Sequence, residues 1–239
     1  MQKIRTIIFN ISFFITSVVF LLLSIWVVFA PLSWGNKWFK FCFKVVFFQV
    51  THILGLKVEV QGEHRIRKME EEHGCFLVIS KHQSAMETFY YPMLFKEYPV
   101  FVHKKELLWI PLWGWYMAKM QMISIDRSSQ RKALSKIVEK AKKTYEQRRP
   151  IIIFPEGTRT LKGEHNKYKS GFYQVYKELN IPILPIALNT GEYWNKKEFV
   201  KKKGTVTIQA LPPIKPGMEK KELMKLIEHK IEDACKKLY

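Results

Sequence analysis

The sequence predicts an α/β fold: a mixed, largely parallel sheet flanked by helices, with an N-terminal hydrophobic helical membrane anchor in front of it. Three observations carry that expectation. The chain opens on an apolar stretch of membrane-crossing length. Behind it, short runs rich in β-branched residues alternate with longer runs of helical period. No repeat, low-complexity tract or long linker divides the remainder, so the chain reads as anchoring helices over residues 1–57 and one α/β domain over 58–239.

The anchor comes first. Ile7 to Ala30 is roughly 24 nearly unbroken apolar residues, enough at about 1.5 Å of rise each to cross a hydrocarbon layer near 30 Å thick. Pro31 and Gly35 are expected to break the helix, and Trp34, Trp38 and Phe39 suit the membrane interface. Lys37 to Leu56 then reads as an interfacial helix, with Lys40 and Lys44 one turn apart and snorkelling while Phe41, Phe43, Val45, Val46, Phe47 and Phe48 stay in lipid. Val28-Phe29-Ala30 resembles a signal-peptide cleavage site, but the apolar stretch exceeds a usual signal core and Pro31 would follow the cut. A full span and a pair of helices in one leaflet both remain open, because bases flank the stretch on either side.

In the second part the expected strands are Lys57 to Val60, Phe76 to Ser80, Val100 to His103, Met122 to Ile125, Ile151 to Phe154, Ile183 to Leu188 and Val206 to Ala210. The expected helices are Ser84 to Phe95, Ser129 to Arg148, Gly171 to Leu179 and Glu219 to Leu238.

Composition narrows the function classes. With 47% hydrophobic residues, seven Trp and seventeen Phe in 239 residues, the chain can bury a substantial core. A formal charge of +19 calls for a polyanion, either nucleic acid or an anionic bilayer face. The first 57 residues decide for membrane: Lys3, Arg5, Lys37, Lys40, Lys44 and Lys57 stand among long apolar runs with no Asp or Glu. Cys42, Cys75 and Cys235 show neither paired nor metal-ligand spacing, and the histidines form no ligand pattern, so no metal is expected. A reducing, cytoplasmic setting follows for the α/β domain, on the inner membrane if the source is bacterial.

Two segments carry chemistry. Lys81-His82-Gln83-Ser84-Ala85-Met86-Glu87 offers a proton acceptor with a carboxylate five residues on; Phe154-Pro155-Glu156-Gly157-Thr158-Arg159 offers an arginine and a carboxylate in a tight turn after Ile151-Ile152-Ile153. Each follows a predicted strand, so both belong at the carboxyl edge of the sheet, where ligands of open α/β sheets bind. A base with an anion clamp suits group transfer to a phosphorylated alcohol. His82 can accept the hydroxyl proton, and Glu87 can fix the imidazole tautomer. Glu87 has a second reading, as the returning member of a capping box begun by Ser84. Arg159 can grip phosphate by a forked pair of hydrogen bonds, helped by backbone N–H groups of the Gly157-Thr158 turn.

Together these segments resemble the glycerophospholipid acyltransferase family, whose bacterial members acylate lysophosphatidic acid, over about Phe76 to Leu188. Between them, Lys105-Glu106-Leu107, Pro111, Gly114 and Ile123-Ser124-Ile125-Asp126-Arg127 look like that family's second block, and Pro182-Ile183-Leu184-Pro185-Ile186 like its fourth. Glu87 departs from the family's usual aspartate. The resemblance implies an O-acyltransferase that takes its acyl group from a coenzyme A or acyl-carrier-protein thioester, with no resident cofactor. His82 and Glu87 would be catalytic; Lys105, Glu156, Gly157, Thr158 and Arg159 would bind substrate. Glu156 is assigned to the acceptor hydroxyls or to orienting Arg159, with Arg127 and Lys169 as weaker phosphate contacts. The partners implied are a phospholipid membrane, a lysophospholipid acceptor and the thioester donor. The rivals are glycerol-3-phosphate or a lyso-aminolipid as acceptor, or a non-enzymatic basic protein of the membrane surface or of nucleic acid. Tyr193-Trp194 with Lys196, Lys197 and Lys201 to Lys203 reads as a second membrane contact or a solvated loop.

Overall fold

The computed structural model describes residues 1–126 and 130–239, which leaves Arg127 and the expected helix start at Ser129 outside the described residues. The element order is α1 (Gln2–Leu23), α2 (Leu32–Gln49), β1 (Leu56–Gln61), α3 (Glu63–Glu72), β2 (Leu77–Ser80), α4 (Met86–Leu94), β3 (Val100–Lys104), α5 (Trp113–Lys119), β4 (Ile123–Ile125), α6 (Gln130–Glu146), β5 (Ile151–Ile153), α7 (Gly171–Leu179), β6 (Ile183–Leu188), α8 (Thr190–Tyr193), β7 (Gly204–Ala210) and α9 (Lys220–Lys237). Three short irregular helices join them: 3-10 turns at Ile25–Val28 and Lys105–Trp109 and a π turn at Val50–Leu54.

The seven strands form one sheet in the order β1-β7-β6-β2-β5-β3-β4. Every pairing is parallel except β6 with β7. Strands β6, β2, β5, β3 and β4 therefore run the same way, and their carboxyl ends lie along one edge. The central strands are buried on both faces, which is why their sequences are continuously apolar rather than alternating. Period-two geometry still sorts their side chains: Leu77, Ile79, Ile151 and Ile153 join one core with α6, α7 and α9, while Val78 and Ile152 join another with α1 to α4.

The N-terminal segment departs in detail from the sequence expectation. Helix α1 is long and apolar enough to cross a membrane, and much of its surface is exposed. Pro31 caps α2 rather than merely ending α1, and Gly35 lies inside α2. A Cβ on Gly35 would meet Val27 Cγ1 at 2.8 Å, so the glycine lets the Ile25–Val28 turn pack closely on α2 rather than breaking a helix. Gln2 bonds to Leu54, Gln49 to Thr16, and Trp38 to Ser24, which makes α1 and α2 an antiparallel hairpin.

Phe41 and Phe48 are exposed, but Val46 and Phe47 are buried, because α2 packs on α4 with Phe47 against Tyr90. Lys40 does not snorkel freely; its ammonium donates to the carbonyl of Phe95. In the Tyr193 to Lys203 segment, Trp194 and Lys201 turn inward while Lys196, Lys197, Lys202 and Lys203 stay exposed. Lys201 Nζ donates to Asn10 at 2.9 Å, and Trp194 packs edge-on against Phe9, fastening α1 to the sheet domain.

Candidate active site

The shared edge of the parallel strands collects the motif residues. His82 follows β2, Glu156 follows β5, Thr190 follows β6, Lys105 follows β3 and Asp126 follows β4.

His82 is held from every side. Its Nδ1 lies 2.8 Å from Glu87 Oε2. Its ring stacks on Phe154, with centroids 4.0 Å apart, and the side chain keeps 16% of its surface exposed. Its backbone is gripped by the second motif: His82 N–H donates to Glu156 Oε1 at 3.2 Å, and His82 C=O accepts from Thr160 N–H at 2.8 Å and from Thr160 Oγ1 at 3.1 Å. With Nδ1 committed to a carboxylate, the other nitrogen, Nε2, carries the lone pair that can take a proton.

The carboxyl group of Glu87, wholly buried, divides its work between its two oxygens. Oε2 faces the imidazole. Oε1 accepts from the backbone N–H of Ser84 at 2.8 Å, from that of Gln83 at 3.2 Å, and from the Thr190 hydroxyl. The return bond to Ser84 belongs to a capping box, although the helix proper starts one residue later than a Ser84 cap implies and Ser84 Oγ serves Met86 N–H. The helix end thus fixes the carboxylate that fixes the imidazole.

Glu156 sits differently from its expected role toward substrate or Arg159. Its carboxyl is buried beside the Lys81 ammonium at 3.6 Å and holds the His82 N–H, while Oε2 has no hydrogen-bond partner among the described residues. Burial pushes this carboxyl up to about 7, against the opposing pull of Lys81. Lys81, itself buried, also pairs with Glu232 of α9 at 2.7 Å, and Tyr168 donates to the same Glu232 oxygen at 2.8 Å. A single cation thus stands among two carboxylates behind the histidine.

The remaining motif residues lie in the turn. Gly157 N–H donates to Phe154 C=O at 3.0 Å and Gly157 takes φ +70°, a conformation a glycine adopts without steric cost. Thr158 is exposed and Arg159 half-buried; the Arg159 carbonyl accepts from Lys196 Nζ. Lys169 fastens the turn from below through its N–H on the Pro155 carbonyl. Lys105, half exposed, pairs with Asp126 at 3.2 Å.

Sequence reasoning missed Lys81, Thr160, Thr190 and Glu232. On a chain with forty bases no lysine stands out. Thr190 had a partial signal, since it lies just past the predicted strand Ile183 to Leu188, at the edge where ligands of such sheets bind.

A family model described as "Acyltransferase" matches residues 57–189, more than half of the chain. The chain belongs to the acyltransferase family. Among curated members, a 1-acyl-sn-glycerol-3-phosphate acyltransferase of Pseudomonas aeruginosa is 35% identical over 156 residues, 65% of this chain and 58% of that protein. One from Saccharomyces cerevisiae is 28% identical over 184 residues, 76% of this chain and 59% of that protein. The matched region thus spans less than two thirds of these relatives' own length. A crystal structure of the 1-acyl-sn-glycerophosphate acyltransferase of Thermotoga maritima superposes with a TM-score of 0.77 at 23% identity, covering 100% of this chain and 98% of that one. This likeness shows a shared fold, hairpin included. His82, Glu87, Lys105, Glu156, Gly157, Thr158 and Arg159 all fall inside the acyltransferase family match.

Proposed function

We propose that the chain transfers a fatty acyl group from an acyl-CoA or acyl-carrier-protein thioester to the free hydroxyl of 1-acyl-glycerol-3-phosphate, giving phosphatidic acid for phospholipid synthesis. The single observation that carries this reading is the 2.8 Å contact between His82 Nδ1 and Glu87 Oε2 at the sheet's carboxyl edge, inside an acyltransferase match. The substrate hydroxyl gives its proton to His82 Nε2 as its oxygen attacks the thioester carbonyl carbon. The carbon–sulfur bond then breaks, and the departing thiolate takes the proton from the imidazolium. Glu87 steadies that imidazolium. The nucleophile belongs to the acceptor, so no acyl-enzyme forms, and the thioester is already activated, so the reaction needs no resident metal or cofactor.

Arg159 and Lys105 serve as phosphate contacts, and the Gly157-Thr158 backbone completes the cradle. The Lys105–Asp126 pair is exposed and worth only about 0–1 kcal/mol, so an incoming phosphate competes with it easily. Glu156, buried behind His82, acts on the base more directly than on the acceptor. Residues 1–57 hold the enzyme to a membrane. The hairpin is fastened to the domain at Gln2, Thr6 and Asn10, all three through Lys201, which favours insertion into one leaflet over a free-standing span. The catalytic domain then faces the cytoplasm, where the basic chain, +19 in all, meets anionic lipid.

The test is an assay of the full chain in lipid vesicles with lysophosphatidate, glycerol-3-phosphate and a lyso-aminolipid as acceptors and both thioester types as donors. Lysophosphatidate is the expected acceptor, and Arg159→Ala should raise its KM about tenfold or more, the worth of a charge-assisted hydrogen bond. Preference for a phosphate-free acceptor, or indifference to Arg159→Ala, would overturn the acceptor assignment.

A further inference from the structure

Between β3 and β4 the chain exposes an unusual surface. Within Leu107 to Trp115, five large apolar side chains face outward: Leu107, Trp109, Ile110, Trp113 and Trp115, with Trp109 at 74% and Trp115 at 59% exposure. Soluble surfaces seldom concentrate so much apolar area in nine residues, and tryptophan is the side chain that prefers a bilayer's interfacial layer.

The segment is built to hold that shape. Trp113 N–H donates back to the Pro111 carbonyl at 2.7 Å across Leu112, whose φ of +62° and ψ of −51° give the rare strained hand of γ-turn. A Cβ on Gly114 would lie 1.9 Å from the Leu108 carbonyl oxygen, so glycine lets α5 fold back on the preceding 3-10 turn. Strain is retained where packing fixes it, and here the fixed conformation is the one that turns the indoles out.

Its inner side docks on the membrane hairpin. Tyr116 is buried, stacks beside Phe39 of α2 and donates its hydroxyl to the Leu21 carbonyl at 2.6 Å. Leu21 belongs to the last turn of α1, where carbonyls lack partners within the helix and, in lipid, must find one in protein. The apolar segment therefore continues the exposed surface of the hairpin's bend, where Trp26, Phe29 and Trp34 are also exposed. Lys104 and Lys105 flank it on one side and Lys119 on the other, against the single carboxylate of Glu106, a balance suited to anionic headgroups.

We propose that Leu107 to Trp115 is a third membrane-inserted element, seated in the same leaflet as the hairpin. Lys105 begins this segment, so insertion sets its ammonium at the depth of lipid phosphates and lets a lysophospholipid reach the catalytic edge without leaving the bilayer. The second statement rests on the acyl-transfer reading; the insertion itself does not.

Cys42, Cys75 and Cys235 are all buried, so a Trp109→Cys variant of the full chain can carry one environment-sensitive fluorophore. It is reconstituted into phosphatidylethanolamine–phosphatidylglycerol vesicles, some with nitroxide on their acyl chains. The label at 109 is expected to be quenched by the nitroxide lipids and shielded from aqueous iodide, whereas a label at exposed Lys236→Cys on α9 shows the reverse. A label at 109 open to iodide while the protein stays vesicle-bound would overturn the proposal. For function, Trp109→Ser/Trp115→Ser should lower transfer to vesicle-embedded acceptor about tenfold while sparing a short-chain acceptor dissolved as monomer. Equal loss on both acceptors would instead make the segment part of the acyl-binding groove and contradict a docking role. Loss of all activity in the unsubstituted protein would sink the acyl-transfer reading and leave the quenching result standing.

Discussion

Glu87 is the residue on which local structure and chemistry meet. One oxygen holds backbone N–H groups at the start of α4, and the other holds the imidazole. Glu87→Gln keeps a carbonyl for the first task but offers the imidazole either an uncharged oxygen or a donor, which permits the wrong tautomer. We expect turnover to fall about 10²–10⁴-fold with little change in melting temperature, by analogy with amide replacement of a triad carboxylate. Glu87→Ala should lose stability as well, about 0.5–2 kcal/mol for the cap alone; thermal unfolding beside initial rates separates the two roles.

Glu156 supplies a signed pH prediction. Its folded carboxyl titrates near 7, above the ordinary 4.5, because burial disfavours the charge. The folded state therefore holds its proton more tightly than the unfolded chain, and stability contributed by this group falls as pH rises through that window. Glu156→Gln has no proton to lose, so its melting temperature relative to the parent should improve between about pH 5 and about pH 8. A difference constant with pH would contradict the burial of that charge. The His82–Glu87 contact was legible because chemistry restricts residue type and spacing. Lys81 and Glu232 were not, since their meaning comes from a contact spanning 151 positions of sequence.

At the scale of elements, all seven strands were visible in the sequence, with ends within two residues, because β2, β5 and β6, buried on both faces, are continuously apolar while β1 and β7 alternate. Helices α6, α7 and α9 were visible through their period. Three elements were not, one of them the four-residue α8, too short to show a period. Helix α3 is polar apart from buried Ile66 and Met69, too little to make a stripe. Helix α5 is seven residues crowded by glycine and two tryptophans, and its path depends on the Gly114–Leu108 approach. Gly114→Ala tests that dependence. A methyl group set 1.9 Å from a carbonyl oxygen forces the backbone to move, and we expect a loss of about 1–3 kcal/mol in denaturant unfolding. Unchanged stability would mean the 3-10 turn is free to shift.

Across the whole molecule, the order of the strands is what the sequence withheld and what brings the site together. Setting β2 between β6 and β5 brings Thr190 and Glu156 to the His82–Glu87 pair, each from a strand end more than seventy residues further along the chain. The hairpin was visible as apolar length, but its pinning by Lys201 and Trp194 was not, because a lysine run reads as solvated until its partner is known. The account as a whole stands on His82 as the base. The most direct test compares initial rates of phosphatidic acid formation from lysophosphatidate and acyl-CoA by the parent and by His82→Ala, both vesicle-bound. We expect a loss of at least about 10²–10⁴-fold with membrane binding intact. Parental rates from the bound His82→Ala protein would contradict it.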